Sequence, residues 1–443
     1  MNVLLKNRGA HERRWKRYPA YRDSGVEWLG EVPEGWEVKR LKFSAHVNMG
    51  QSPSSEDCNQ DEIGKPFLQG NAEFGALHPI PRLWCDNSKK LAASQDILIS
   101  VRAPVGQLNM ADQTYGIGRG LCAITPNNIL ERKYLWYGLH VFREELTAVS
   151  VGSTYDAVKA DDVKNVSAIL PPLPEQRAIA AFLDRETAKI DALAAKKERL
   201  VELLKEKRTA LISHAVTKGL DPDAPMKDSG IEWLGEVPEG WEVAPLRRAI
   251  AKFVDYRGAT PKKVSSGVPL ITARNIKNGV IDLELSQEFI QKEDYDGWMV
   301  RGLPEIGDVL VTTEAPLGES AQIVNDKIAL AQRIILLKRD KSRITNEYLK
   351  YHFLSQSGKG ELWSRATGST AIGIKASRLK ETLVTLPPIT EQKPITQYLD
   401  HETSKIDALT KKIYEQIEKL KEYRTALISA AVTGKIDVRG EIP

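Results

Sequence analysis

Sixteen residues occur twice in this chain. DSGVEWLGEVPEGWEV runs from Asp23 to Val38, DSGIEWLGEVPEGWEV runs from Asp228 to Val243, and Val26/Ile231 is the one difference. Each copy is followed by a second repeated block, which starts EQRAIAAFLDRETAKIDAL at Glu175 and EQKPITQYLDHETSKIDAL at Glu391. The short copies are 205 residues apart and the long ones 216. The order is therefore short motif, variable block, helical block, and then the same again.

The variable blocks, 39–173 and 244–389, differ by 11 residues, which is the difference between the two offsets. A fainter likeness persists inside them. DILISVRAPVG (Asp96–Gly106) echoes DVLVTTEAPLG (Asp308–Gly318), and GSTYDAVKADDVKNVSAILPPL (Gly152–Leu173) echoes GSTAIGIKASRLKETLVTLPPI (Gly368–Ile389). This is the pattern of one fold carrying two different surfaces. QDILISV and GDVLVTT read as short apolar strands, and IALAQRIILLKR as a buried strand ending at a basic edge. ITNEYLKYHFLS and ILERKYLWYGLH read as helices, with Gly- and Pro-rich loops between the elements.

The helical blocks carry apolar residues at heptad spacing: Leu183, Ile190, Leu204 and Leu211, with Leu193 and Leu200 expected in a second seam. The later copy offers Leu399, Ile406, Ile413, Leu420 and Leu427, plus Leu409. Lys197, Lys207, Glu186 and Gln416 are expected to interrupt these seams. Pro174 and Pro394 fall where a helix begins and tolerates proline, and Gly219 and Gly434 near the ends. About 42 residues at 1.5 Å each predict a rod of roughly 60 Å. Two rods of equal length in one chain pack most economically on each other. In the short motif, Trp28, Leu29, Val32 and Trp36, with Trp233, Leu234, Val237 and Trp241, read as apolar anchors around a Pro-Glu-Gly turn, a clip that docks the chain entering each variable block. Ligand binding by these tryptophans is the alternative.

At 443 residues the chain holds more than one ordinary domain, and a net charge of +4 does not by itself announce a nucleic-acid binder. The first variable block counts 14 basic against 14 acidic residues, the second 22 against 16, so any contact with phosphate rests on local patches. Cys58, Cys85 and Cys122 lack C-x-x-C spacing, which argues against a disulfide framework or a zinc site and fits a reducing cytoplasm. No apolar run approaches the ~20 residues that span a bilayer. The N-terminal apolar run is too short for a signal peptide. Arg13, Arg14, Lys16 and Arg17 read as a solvated basic tail, with phosphate contact as the alternative.

Catalytic signatures are missing. There is no phosphate loop, no G-x-G-x-x-G after a strand, no H-E-x-x-H and no G-x-S-x-G. LPPLPEQ and LPPITEQ lack the residues of an amino-methyltransferase N/D-P-P-Y/F loop. The seven histidines have no metal-ligand spacing. The sum favours a binding protein over a self-contained enzyme such as a nuclease, and leaves a coiled-coil scaffold without sequence recognition as a further alternative.

The arrangement resembles the DNA-specificity (S) subunit of type I restriction–modification systems. The residues that carry the resemblance are YPAYRDSGVEWLGEVPEGWEV and its second copy, LPPLPEQRAIAAFLDRETAKIDAL with LPPITEQKPITQYLDHETSKIDAL, and KRTALISHAVTKG with YRTALISAAVTGK. The implied fold is α+β: two mixed α/β target-recognition domains separated by two long helices packed as an antiparallel coiled coil, with pseudo-two-fold symmetry. The implied division is a basic extension (1–18), a first recognition domain (19–173, clip 23–38) and a first long helix (174–218). A second recognition domain (219–389, clip 228–243), a second helix (390–433) and a tail (434–443) follow. The resemblance implies that each domain reads one half of a split, asymmetric target in double-stranded DNA, and that the helices set the spacing. Two methyltransferase (M) subunits with S-adenosylmethionine would dock on this frame, and restriction (R) subunits with ATP and magnesium would join. The chain itself would catalyse nothing and bind no cofactor. The assembled complex would methylate adenine N6 and cleave DNA, in the cytoplasm and close to the nucleoid, without a membrane.

Base reading needs paired donors and acceptors, Arg for guanine and Asn or Gln for adenine. The candidates in the first domain are Gln69, Asn71, Arg102 and Arg119; those in the second are Tyr256, Arg257, Arg274, Asn275, Gln332 and Arg333. Ser153, Thr154 and Lys159, with Ser369, Thr370 and Lys375, are candidates for phosphate, which positions the duplex without reading it. Arg102 aligns with Glu314, a charge reversal suited to different bases.

Overall fold

The computed structural model describes residues 15–151, 158–258, 260–368 and 372–441. Arg13, Arg14, Ser153, Thr154, Ser369 and Thr370 lie outside the described residues. The chain divides into two units: residues 1–196 with 416–443, and residues 197–415.

Both units are built on the same sheet. In the first, strands Ala45–Met49, Leu121–Pro126, Ile97–Ser100 and Leu108–Met110 lie side by side in that order, all antiparallel. In the second, Ile250–Asp255, Ile334–Arg339, Val309–Thr313 and Leu317–Gln322 repeat the order. Alternation along a strand sends successive side chains to opposite faces. Ile97 and Ile99 accordingly enter one apolar cluster and Leu98 another. Val309 and Val311 likewise part from Leu310, and Ile335 and Leu337 from Ile334 and Leu336. A sheet buried on both faces explains why these strands read as continuous β-branched runs. One face meets helices. The other meets a second sheet, five-stranded in the first unit and three-stranded in the second, that contains one parallel pair in each, Lys65–Leu68 with Tyr115–Ile117, and Val268–Ile271 with Ala329–Leu330.

Two long helices, Leu173–Lys218 and Ile389–Val432, run through both units. At 46 and 44 residues they are roughly 69 and 66 Å long, longer than the sequence predicts. In the first unit Arg424 Nε donates to Asp191 (2.9 Å) while Arg439, just past the second helix, pairs with Glu175 at the start of the first (3.8 Å), so the helices run antiparallel there; in the second unit Arg208 Nε donates to Asp407 (3.1 Å). Ile190, Val201, Ile406, Ile413, Ile417 and Leu427 are buried. Leu193, Leu200 and Leu409 are over 40% exposed, so the expected second seam is not there: a 3–4 alternation from Ile190 through Ala194 to Val201 uses a different face. Glu186 is buried, satisfied by Arg185 (3.1 Å) and Lys189 (2.9 Å), whereas Lys207 and Gln416 sit on the exposed side and interrupt nothing. Pro394 is the sixth residue of its helix, deeper than a first-turn proline, and removes one backbone bond there.

The clips end on these helices. Trp36 N–H donates to Pro33 O and Trp241 N–H to Pro238 O, each 2.9 Å, closing the Pro-Glu-Gly turn. Trp36 and Trp241 are 1% exposed, while Trp28 and Trp233 stay at the surface, so half of the expected tryptophan anchors do not anchor. A Cβ on Gly434 would lie 2.3 Å from Pro33 Cδ and 3.0 Å from the Trp36 ring, and one on Gly219 would lie 3.3 Å from the Trp241 ring. Each clip therefore buckles onto the glycine that ends a long helix in left-handed backbone (φ +72° and +78°). The repeated Pro-Pro…Glu-Gln segment is a staple. Gln176 Nε2 donates to Pro171 O (2.8 Å) and Ile129 O (3.0 Å), and Gln392 Nε2 to Pro387 O and Arg343 O (2.9 Å each).

Two expectations are corrected. Cys58 and Cys85 face each other on antiparallel strands and form a disulfide across 27 residues, leaving Cys122 buried and free; spacing along the chain did not reveal the pairing that the sheet creates. Residues 15–18 are part of the fold rather than a free tail: Trp15 and Tyr18 are buried, while the basic side chains of Lys16 and Arg17 stay exposed, as the sequence suggests. Trp15 packs edge-on against Phe182 (4.9 Å), and Asp437 N–H donates to Lys16 O (2.7 Å).

Candidate nucleic-acid interface

Loops at the strand ends carry most of the candidate side chains, and the same backbone bonds lace them together in both units. In the first, Gly118 N–H donates to Leu68 O (2.8 Å), Val101 N–H to Gly120 O (3.0 Å) and Val158 N–H to Val101 O (2.8 Å). In the second, Ala331 N–H donates to Ile271 O, Thr313 N–H to Arg333 O and Ile374 N–H to Thr313 O, each 2.9 Å. Four loops thus converge twice. The residues that follow these anchors correspond: Gln69 with Thr272, Arg102 with Glu314, Arg119 with Gln332, Gly120 with Arg333, and Lys159 with Lys375.

The first unit brings Gln69, Arg102, Arg119 and Lys159 to this common edge, all exposed. Ser52 Oγ, which sequence reasoning missed, accepts from Gln69 Nε2 (3.2 Å) and from the Arg119 backbone N–H (3.3 Å). The glycines of GIGRG permit the approach: a Cβ on Gly120 would lie 2.7 Å from Gln69 O. Asn71 is half-buried in the short turn Asn71–Glu73 beside them. Arg102, Arg119 and Lys159 make no ion pair among the described residues, so a variable block with balanced charge presents a local cationic edge.

The second unit places Arg274, Gln332 and Arg333 around a cleft of about 270 Å³, with Thr260, Lys263 and Thr272 as further lining that the sequence reading did not single out. Arg274 and Lys375 are exposed, Arg333 pairs with Glu314 (3.4 Å), and Lys263 with Glu288 (2.7 Å).

Two candidates, Tyr256 and Asn275, are corrected. Tyr256 is 2% exposed, stacks on Trp298 (5.6 Å) and spends its hydroxyl on Gly302 O (2.9 Å), with burial raising its pKa; it is a core residue. Asn275 is fully buried. Its Oδ1 accepts from Thr272 N–H (2.9 Å) and its Nδ2 donates to Asp282 O and Ser286 O (2.9 Å each), so no polar atom remains for a base. Arg257 is half-buried, gripped by Asp255 (2.6 Å), and donates to Ile374 O (3.0 Å), which ties it to the loop bearing Lys375. A polar residue in a turn reads alike in sequence whether it faces outward or inward.

Among the described residues no group of three or more His, Cys, Asp or Glu is arranged to hold a metal, and no helix is long and apolar enough to cross a membrane.

Two similar mixed α/β units, each with one loop-built polar edge, define a protein with two equivalent candidate binding sites. The family model described as "Type I restriction modification DNA specificity domain" matches twice, over residues 33–202 and 238–419, and the chain belongs to that family. The type I restriction enzyme MjaVIII specificity subunit of Methanocaldococcus jannaschii is 25% identical over 427 residues, covering 92% of this chain and 94% of that one. The EcoKI specificity subunit of Escherichia coli K12 is 21% identical over 441 residues, covering 92% and 90%. The putative MjaX specificity subunit of M. jannaschii is 37% identical over 188 residues, which is 42% of this chain and less than half, 44%, of that relative. A chain solved in a study of type I R-M system assembly and conformational transition shares the fold, with a TM-score of 0.67 over 90% of this chain and 98% of its own, at 18% identity.

Proposed function

We propose that each unit reads one half of a split, asymmetric target in double-stranded DNA through its four-loop edge. The observation that carries this reading is the paired set of backbone bonds, which holds two equivalent sites, while the side chains at equivalent positions differ: Gln69 against Thr272, Arg102 against Glu314, Arg119 against Gln332. Equal frames with unequal readers suit a target whose halves differ. Residues 19–173 and 219–389 are the recognition domains, and the long helices serve as spacer and as the docking surface for two methyltransferase subunits. Gln69, Asn71, Arg102, Arg119, Arg274, Gln332 and Arg333 meet base edges; Lys159 and Lys375 meet phosphate. S-adenosylmethionine, ATP and magnesium belong to the methyltransferase and restriction subunits. The assembled complex methylates adenine N6, cleaves DNA and works in the cytoplasm.

The test is to co-express the chain with a cognate methyltransferase and map N6-methyladenine by single-molecule sequencing. A split asymmetric motif, methylated once per strand, is the expected result. A soluble complex that methylates without sequence preference would leave a scaffold and remove the reader.

A further inference from the structure

We propose that Glu314 and Arg333 act as one unit and read a single G·C base pair in the second half-site. Arg333 donates to guanine N7 and O6, and Glu314 accepts from cytosine N4–H. This deepens the specificity reading above and rests on it.

The two side chains come from different loops and meet at 3.4 Å, with 54% of Arg333 and 35% of Glu314 still open to solvent. Their backbones are fixed. Thr313 N–H donates to Arg333 O (2.9 Å), and Glu314 forms a β-bridge with Gly373. Arg333, Gln332 and Ala315 line the same cleft, so the pair stands at its rim.

The chemistry selects a base pair over the DNA backbone. A cationic fork neutralised by a carboxylate is a poor phosphate anchor, because the carboxylate repels phosphate. The major-groove edge of G·C presents two acceptors on guanine and then a donor on cytosine, which matches a fork of N–H groups beside a carboxylate. Adenine offers the fork one acceptor and sets an N6–H against its other arm. The first unit lacks the arrangement: Arg102 stands at the place of Glu314, and Gly120 at the place of Arg333. The arginine has moved from one loop to the other, so the two halves differ at this point.

The experiment uses the co-expressed complex with the methyltransferase and a duplex library randomised across the second half-site. Methylation of each sequence is the readout. Wild type is expected to require G·C at one position. Arg333→Gln is expected to lose that preference by roughly tenfold to a hundredfold. Glu314→Gln should weaken it at the same position, and both variants should keep the first half-site unchanged. Guanine replaced by 7-deazaguanine there should slow wild type and leave Arg333→Gln unaffected. Uniform loss across the library, or the two variants shifting different positions, would overturn the proposal while the wild-type preference upholds the specificity reading. A wild-type complex with no preference anywhere would sink both.

Discussion

Arg208 donates to Asp407 at 3.1 Å, and the residues 216 positions away repeat the bond with roles exchanged, Arg424 to Asp191 at 2.9 Å. The duplication of the helical block thus appears as two equivalent cross-helix pairs, one in each unit. Asp407 and Asp191 are more than half exposed, so the pairs are screened and weak. Asp407→Ala is expected to cost less than about 1 kcal/mol, whereas Ile413→Ala, at a buried seam position, costs on the order of 2–5 kcal/mol. Urea denaturation of the two variants would compare them, and similar losses would contradict a seam-driven register.

The clip contacts rank two glycines. Gly219 and Gly434 both hold left-handed backbone, but a Cβ meets Pro33 at 2.3 Å only on Gly434. Gly434→Ala should therefore lower the melting temperature more than Gly219→Ala, which carries mainly the conformational cost of about 1–2 kcal/mol. Thermal melts of both variants check the order.

Asn275 separates folding from reading. Asn275→Ala removes a buried staple and is expected to destabilise the second unit by about 2 kcal/mol or more, with the methylated sequence unchanged in whatever complex survives. Arg102→Ala should do the reverse: it should leave the melt within about 0.5 kcal/mol and alter selectivity in the first half-site alone. Lys159→Ala and Lys375→Ala should each reduce the salt dependence of DNA binding by about one ion without changing preference.

Acid should weaken the fold. Burial pushes the imidazole of His352 down to about 4, and that of His140 likewise to about 4. An unfolded histidine titrates near 6.5, so between these values the unfolded chain takes up protons that the folded chain refuses. Stability is whole above about pH 6.5 and declines as pH falls toward about 4. His352→Phe should flatten that slope in melts taken across the range, even if it lowers stability at neutral pH.

Much of this protein is legible in order along the chain. The twin sixteen-residue copies, the heptads around Ile190 and Ile406 and the β-branched runs at Ile97 and Val309 announce a duplicated α+β frame, because periodicity and β-branching act through near neighbours. Exposed candidates such as Arg102, Arg119 and Arg274 are legible for the same reason: a charged side chain in a Gly-rich loop has little choice but solvent. Contacts between distant segments are not legible. Nothing near Tyr256 foretells Trp298 and Gly302, nothing near Asn275 foretells Ser286, and Cys58 meets Cys85 because a sheet register opposes them. Composition and local period settle which elements form. Tertiary packing alone decides which polar side chains are used up inside the fold and which are left facing outward, since that depends on partners far away in sequence and a few ångströms away in space.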